Sequence, residues 1–183
     1  MGKSTLARGL QAYFGRDGQH WLVFELDSFG RGVPRDWIAV GRHVGHSAAR
    51  GFTYGPVDSG GLDLILGTDG RRVLAAFHRA VAATVSSGMD VICETIVYDA
   101  DDHRDWLDAL GDIEAIWVRL HASIDLLEER ERANRTRLFQ GLARGMSARP
   151  KVGTYDVEGD SGVQTVDELV ERTLESLVRK QSN

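Results

Sequence analysis

Apolar residues return at helical spacing near the start of the chain. Leu6, Leu10 and Phe14 share one face, which predicts a helix over residues 5–14, ended by Gly15 and the polar RDGQ. WLVFELD (21–27) then reads as an apolar strand stopping at a carboxylate. Residues 28–69 show no sustained period and hold Pro34, Pro56 and many glycines. Within them, 52–54 and 62–66 predict a hairpin around a glycine-rich turn. Val73, Leu74, Phe77, Ala80, Val81 and Val85 predict a helix over 71–86, stopped at Gly88. DVICET (90–95) predicts a second buried strand, 101–110 a short helix, and IEAIWVRL (113–120) a third strand. Ser123 can cap the next helix, whose arginine-rich continuation is expected through 134–145. VGTYDVE predicts a short fourth strand, and Thr165-Val-Asp-Glu168 is a capping box that opens a last helix to about Arg179.

Strands and helices alternate, which predicts an α/β fold with a mostly parallel sheet covered on both faces, three layers in all. No linker or repeat divides the chain. The expectation is one domain over 1–183, with an inserted substrate-side segment at about 28–69 and an arginine-rich lid at about 128–150. A length of 183 residues allows a sizeable core. The net charge of -5 gives no general attraction to nucleic acid or an anionic membrane. Cys93 is the only cysteine, so no internal disulfide forms, which fits a reducing compartment. No apolar run reaches the ~18 residues of a membrane span, and the chain reads as cytoplasmic. No coiled-coil pattern indicates an oligomeric state.

The chemistry begins at Gly2-Lys3-Ser4-Thr5, the second half of the phosphate-loop pattern G-x-x-x-x-G-K-[ST]. In such a loop backbone N–H groups and the lysine hold phosphate oxygens, the hydroxyl binds Mg²⁺, and the helix N-terminus adds its dipole. Gly2, Lys3, Ser4 and Thr5 are therefore the candidate nucleotide-binding residues, with Ser4 also a Mg²⁺ ligand. The apolar strand that normally precedes the loop has no counterpart here. Its place is inside the sheet, so the expectation is a central slot with unpaired backbone groups, and a natural reading frame carrying about 10–15 further residues ahead of Met1.

In open α/β sheets the chemistry lies beyond the carboxyl ends of the strands. Asp27 is the candidate base for an acceptor hydroxyl, and Glu94 the candidate for organising Mg²⁺. Arg130, Arg132, Arg135, Arg137, Arg144 and Arg149 crowd one segment. One or two of them are expected to stabilise charge on a transferring phosphoryl group, and the rest to be solvated beside Glu128, Glu129 and Glu131. Cys93 reads as a small core residue and Trp21 and Trp117 as core packing. Trp37, Phe52 and Tyr54 stand where they can line an apolar pocket or simply pack. His43-x-x-His46 has no accompanying metal-ligand spacing.

Taken in order, GKSTLARGLQ, WLVFELDSF, GMDVICET, IEAIWVRL with ERERANRTR and GLAR, and TYDVEGDSG resemble the chloramphenicol phosphotransferase family over nearly the whole chain. The resemblance implies a P-loop kinase fold, similar to that of zeta-type toxins, that moves the γ-phosphate of ATP to an antibiotic's hydroxyl with Mg²⁺. By position it implies Lys3 and Ser4 in the phosphate loop, Asp27 as catalytic base, and Arg130, Arg135 and Arg137 as lid arginines. A kinase of another metabolite or a nucleotide-sugar, and a non-catalytic nucleotide-binding protein, remain as alternatives.

Overall fold

The computed structural model describes residues 2–40, 43–58, 60–133 and 140–182. In chain order the elements are α1 (Lys3–Arg16), β1 (Leu22–Glu25), α2 (Leu26–Gly30), β2 (Ile38–Val40), β3 (His43–Val44), β4 (Phe52–Pro56), β5 (Leu62–Leu66) and α3 (Thr68–Ser86). They continue with β6 (Val91–Glu94), α4 (Ala100–Leu110), β7 (Val118–His121), α5 (Ile124–Ala133), α6 (Leu142–Ser147), β8 (Val157–Asp160) and α7 (Val166–Gln181). The fold is mixed α/β and its strand pairing is mostly parallel. β1 pairs with β6, β7 with β8, and β2 with β4 in parallel, whereas β2–β3 and β4–β5 are antiparallel. Among the described residues the strands fall into three sheets, β1-β6, β3-β2-β4-β5 and β7-β8.

The chain divides into two compact units. The first comprises Met1–Ser28, His78–Ala122 and Val152–Asn183. Its core is built on the stripe that the spacing predicted: Leu6, Leu10 and Phe14 of α1 are buried against Leu169 and Val170 of α7. Burying each such side chain is worth about 1.5–3 kcal/mol. Gly9 permits this close packing, because a Cβ there would lie 2.9 Å from Val166 Cγ1. On other helices, Val81, Ala82 and Trp106 are buried, and His78 stacks on Trp106 with ring centroids 4.1 Å apart. His78 Nδ1 lies 2.6 Å from Asp105 Oδ2, and Asp102 accepts the Tyr98 N–H at 3.0 Å. Burial lowers the basicity of His78 and raises the pKa of Asp102.

Between β6 and β7 this unit holds a cavity of about 400 Å³. Ile92 and Cys93 of β6 and Val118 and Leu120 of β7 line it. Strands in a parallel sheet covered on both faces are normally buried throughout, yet no residue of β1, β6 or β7 is fully buried here.

The second unit comprises Phe29–Phe77 and Ser123–Lys151. Its β4–β5 hairpin has the expected partners, with Phe52 opposite Leu66 and Tyr54 opposite Leu64. A bidentate ion pair fastens the hairpin to the end of the arginine-rich segment. Arg149 Nε lies 2.9 Å and Nη2 2.7 Å from Asp63 Oδ1, and Nη2 also donates to the Leu64 carbonyl. Buried Glu131 accepts from the Gly141 and Ala143 N–H groups at 2.7 and 3.1 Å, which satisfies the N-terminus of α6.

Three expected boundaries are corrected. The strand expected over 113–120 forms only over Val118–His121, because its ladder to β8 begins at Val118. The last strand lies at Val157–Asp160, later than VGTYDVE implies, for the same reason. The helix expected to run on through 134–145 is not continuous. α5 ends at Ala133, and α6 starts afresh at Leu142 after Gly141, whose φ of 100° is left-handed. Residues 134–139 lie outside the described residues.

Candidate functional site

The candidate site lies in the first unit, where α1 begins. Gly2 is the N-cap of α1 and takes φ 88°, a left-handed conformation that glycine adopts without a steric penalty. No side chain caps the helix, and no acidic residue stands in its first turn. Its leading N–H groups therefore keep their partial positive charge, to which Lys3 adds a full one. A Cβ on Gly2 would lie 3.1 Å from Ser161 Cβ and 3.7 Å from Leu120 Cδ1. This puts the start of α1 at the carboxyl ends of β7 and β8. Lys3 Nζ lies 3.8 Å from Glu94 Oε1, which puts it at the carboxyl end of β6 as well.

The Lys3–Glu94 pair is weak. Lys3 is 31% exposed and Glu94 13% exposed in their side chains. An ion pair of that exposure is worth about 1 kcal/mol or less after screening. A multiply charged phosphate offers Lys3 stronger, charge-assisted bonds. Lys3 is therefore held near the helix terminus without being committed to Glu94. Ser4 is half-buried and Thr5 exposed in the same first turn. An open helix N-terminus flanked by a lysine fits a nucleotide phosphate group.

Asp27 is placed differently from its expected strand-end position. β1 stops at Glu25, where its ladder to β6 ends, and the chain turns directly into the one-turn helix α2. Asp27 is exposed in the first turn of α2. The residue that does close β1 is Glu25, opposite Glu94 in register, and Ser28 Oγ donates to Glu25 Oε2 at 2.8 Å. Glu25 is a strand-end carboxylate that the sequence reading passed over. ELD offers two acids two residues apart, and only the β1–β6 register distinguishes them. Thr95, next to Glu94, was also overlooked. Its buried Oγ1 has no hydrogen-bond partner among the described residues, and it lines the cavity.

Cys93 is half-buried, and its thiol pKa is pushed up to about 12 by burial and then by the charge of Glu94, so it is not a nucleophile at neutral pH. Trp21 stacks on Phe14 at 4.1 Å, just ahead of β1, and Trp117 packs edge-on to Trp106. Both line the cavity, whereas Trp37, Phe52 and Tyr54 do not. Those three are half-buried in the second unit.

Of the lid arginines, Arg130 lies in the last turn of α5 in the second unit. Arg135 and Arg137 fall outside the described residues. Two neighbours are ion-paired within that unit: Arg144 with Glu128 at 2.6 Å, and Arg149 with Asp63. Among the described residues no group of three or more His, Cys, Asp or Glu is placed to hold a metal ion, and no helix is long and apolar enough to cross a membrane.

The start of α1 thus stands at the carboxyl ends of parallel strands. The family model described as chloramphenicol phosphotransferase-like protein matches residues 1–178, and the chain belongs to that family. Among curated proteins none matches the sequence. Among solved structures the chain is similar to the Mycobacterium tuberculosis APS kinase CysC in complex with AMPPNP and APS. That match has 17% identity and a TM-score of 0.65, over 96% of this chain and 90% of that one. A gluconokinase from Sinorhizobium meliloti is similar at 16% identity and a TM-score of 0.55, over 97% and 86%. The chain thus shares the fold of P-loop small-molecule kinases.

Proposed function

We propose that this protein is an ATP- and Mg²⁺-dependent phosphotransferase that phosphorylates a hydroxyl of a small molecule. The observation that carries the reading is Lys3 at the uncapped N-terminus of α1, 3.8 Å from Glu94 at the end of β6, in a chain that belongs to this family. ATP supplies the phosphoryl group, and Mg²⁺ offsets charge on its phosphates. Lys3 and the N–H groups of Gly2, Ser4 and Thr5 bind phosphate oxygens. Ser4 and Glu94 are the protein's share of Mg²⁺ organisation, since Mg²⁺ usually keeps several waters and phosphate oxygens among its ligands. Asp27 accepts the proton as the acceptor oxygen bonds to the γ-phosphorus and the bond to the β-phosphate oxygen breaks, releasing ADP. Arg130, Arg135 and Arg137 stabilise charge on the transferring group.

The family resemblance makes an antibiotic hydroxyl, chloramphenicol's first, the leading acceptor. The kinase folds of the two similar structures support a second reading, in which the acceptor is another metabolite. In either case we assign the segments 28–69 and 128–150 to the acceptor and lid side of one kinase domain. The test is to incubate the chain with MgATP and a panel of small-molecule alcohols that includes chloramphenicol. Mass spectrometry should show one acceptor gaining a phosphoryl group, and MgATP should raise the melting temperature. No transfer to any acceptor together with no thermal shift would overturn the reading.

A further inference from the structure

The arginine-rich segment is built into the β4–β5 hairpin. Three contacts along β5 join them. The Leu62 N–H donates to the carbonyl of Gly141, the residue that opens α6, at 2.9 Å. Gly145 of α6 is buried so close to the Leu62 carbonyl oxygen that no Cβ would fit there. Arg149 completes the set with its fork on Asp63. Nε lies 2.9 Å from both carboxylate oxygens and Nη2 2.7 Å from Oδ1, while Nη2 also donates to the Leu64 carbonyl at 2.8 Å. The side chains of Arg149 and Asp63 are 19% and 18% exposed. A forked, shielded pair fixes both distance and orientation, which a solvated surface pair does not.

The bonds continue into α5. Glu131 of α5 accepts from the Gly141 and Ala143 N–H groups, and Glu128 accepts from Arg144 Nε at 2.7 Å. Arg130 is the sequence neighbour of Glu131. A series of bonds thus runs from α5 through α6 to β5 within one compact unit. It ties together two segments that lie far apart in the chain, since Asp63 and Arg149 are 86 residues apart. Such a connected element can respond as one piece to a ligand at either end.

We propose that Arg149 is a positioning residue: it makes the β4–β5 hairpin and the arginine-rich segment one body, so that a nucleotide engaging the arginines also orders the hairpin. The inference rests on the kinase reading, in which these arginines meet the phosphates and the hairpin belongs to the acceptor side. By linkage, an acceptor that orders the hairpin strengthens nucleotide binding by the same factor. The charge that stabilises the transferring phosphoryl group is then assembled together with the acceptor, which favours transfer to the acceptor over transfer to water.

The test follows amide hydrogen exchange by mass spectrometry on the whole chain, with and without a non-hydrolysable ATP analogue and Mg²⁺. The segments are 3–8, 124–133, 142–147 and 62–66, with α7 as the reference for a folded chain. In the unaltered chain the analogue should slow exchange in all four, by roughly threefold or more at 62–66. In Arg149→Met the slowing should persist in the other three segments and be lost at 62–66. If Arg149 served stability alone, Arg149→Met would change the starting rate at 62–66 and leave the fold-slowing by the analogue intact. That outcome would overturn the proposal. So would an unaltered chain in which slowing at 3–8 and 124–133 never reaches 62–66. If Arg149→Met exchanges at 62–66 as fast as an unfolded chain, Arg149→Lys, which keeps the charge and lacks the fork, is read by the same criterion. No slowing at 3–8 would mark failure of the kinase reading itself, and the coupling would fall with it.

Discussion

Two helix N-termini in this molecule receive opposite treatment. At α7, Thr165 Oγ1 accepts from the Glu168 N–H at 3.3 Å, Glu168 Oε2 accepts from the Thr165 N–H at 2.7 Å, and Asp167 adds a second acid. The exposed N–H groups and the dipole are both answered locally. At α1 there is a left-handed glycine, no capping side chain, no acid in the first turn and a lysine at the first position. Even α6, which also begins after a left-handed glycine, has buried Glu131 on its leading N–H groups. A helix start left positive among others that are neutralised is poorly made for stability and well made for an anion.

The sharpest challenge to this contrast is Asp27, because it too is an acid in a helical first turn. If it served only as such, Asp27→Asn would barely matter. As the base it should lose roughly 10²–10⁴-fold in turnover while the MgATP-induced rise in melting temperature is kept. Unchanged turnover would exclude it as base. Lys3→Ala comes next. It removes the cation from the open terminus and should cost about 10²–10³-fold in kcat/KM for MgATP, with the thermal shift lost as well. A Lys3→Ala enzyme with full activity would mean that the uncapped terminus carries no phosphate.

Legibility in the sequence follows the range of the interactions. α1, α3 and α7 were readable because a helix's apolar stripe and caps lie within a few residues of one another, and the capping box at Thr165 formed in full. The β4–β5 hairpin was readable because its partners are joined by a short turn. Strand ends were not, because β7 and β8 exist only where each meets the other, and Val118 is 39 residues from Val157. The same limit hid Glu25, whose place beside Glu94 is set by pairing across all the residues from α2 to α3. The cluster of His78 with Asp102 and Asp105 spans α3 and α4, and no local pattern marks it.

Two stability measurements test the neutralised side of the contrast. Glu131→Ala leaves the Gly141 and Ala143 N–H groups of α6 without their acceptor, in a buried setting, and should cost about 1–3 kcal/mol by denaturant unfolding. Thr165→Ala removes one cap of α7 and should cost about 1 kcal/mol, with MgATP affinity unchanged. The Thr165 bonds hold the Glu168 carboxyl below its ordinary value of 4.5. A depressed carboxyl contributes stability above that ordinary value and loses it as pH falls through the lowered one. The penalty of Thr165→Ala should therefore shrink as unfolding is repeated at successively lower pH below 4.5. A penalty that stays constant with pH would mean that the capping box is not charge-assisted.

The smallest expected effect is the most discriminating, because it has opposite signs in two measurements. Thr5 is exposed in the first turn of α1, and Asp there would give α1 the acid that α7 already has. As a matter of helix electrostatics Thr5→Asp should stabilise the chain by about 0.3–1 kcal/mol at low ionic strength, an increment that salt screens away. If α1 is kept positive to receive phosphates, the same charge should weaken MgATP binding, because the carboxylate repels the ligand and competes for its N–H donors. A gain in both stability and affinity would show that the terminus is not a phosphate site, and a loss in both would trace to local distortion, which Thr5→Asn reports separately. A gain in stability with a loss in affinity is the pattern expected of a helix start whose lack of a cap is tied to binding.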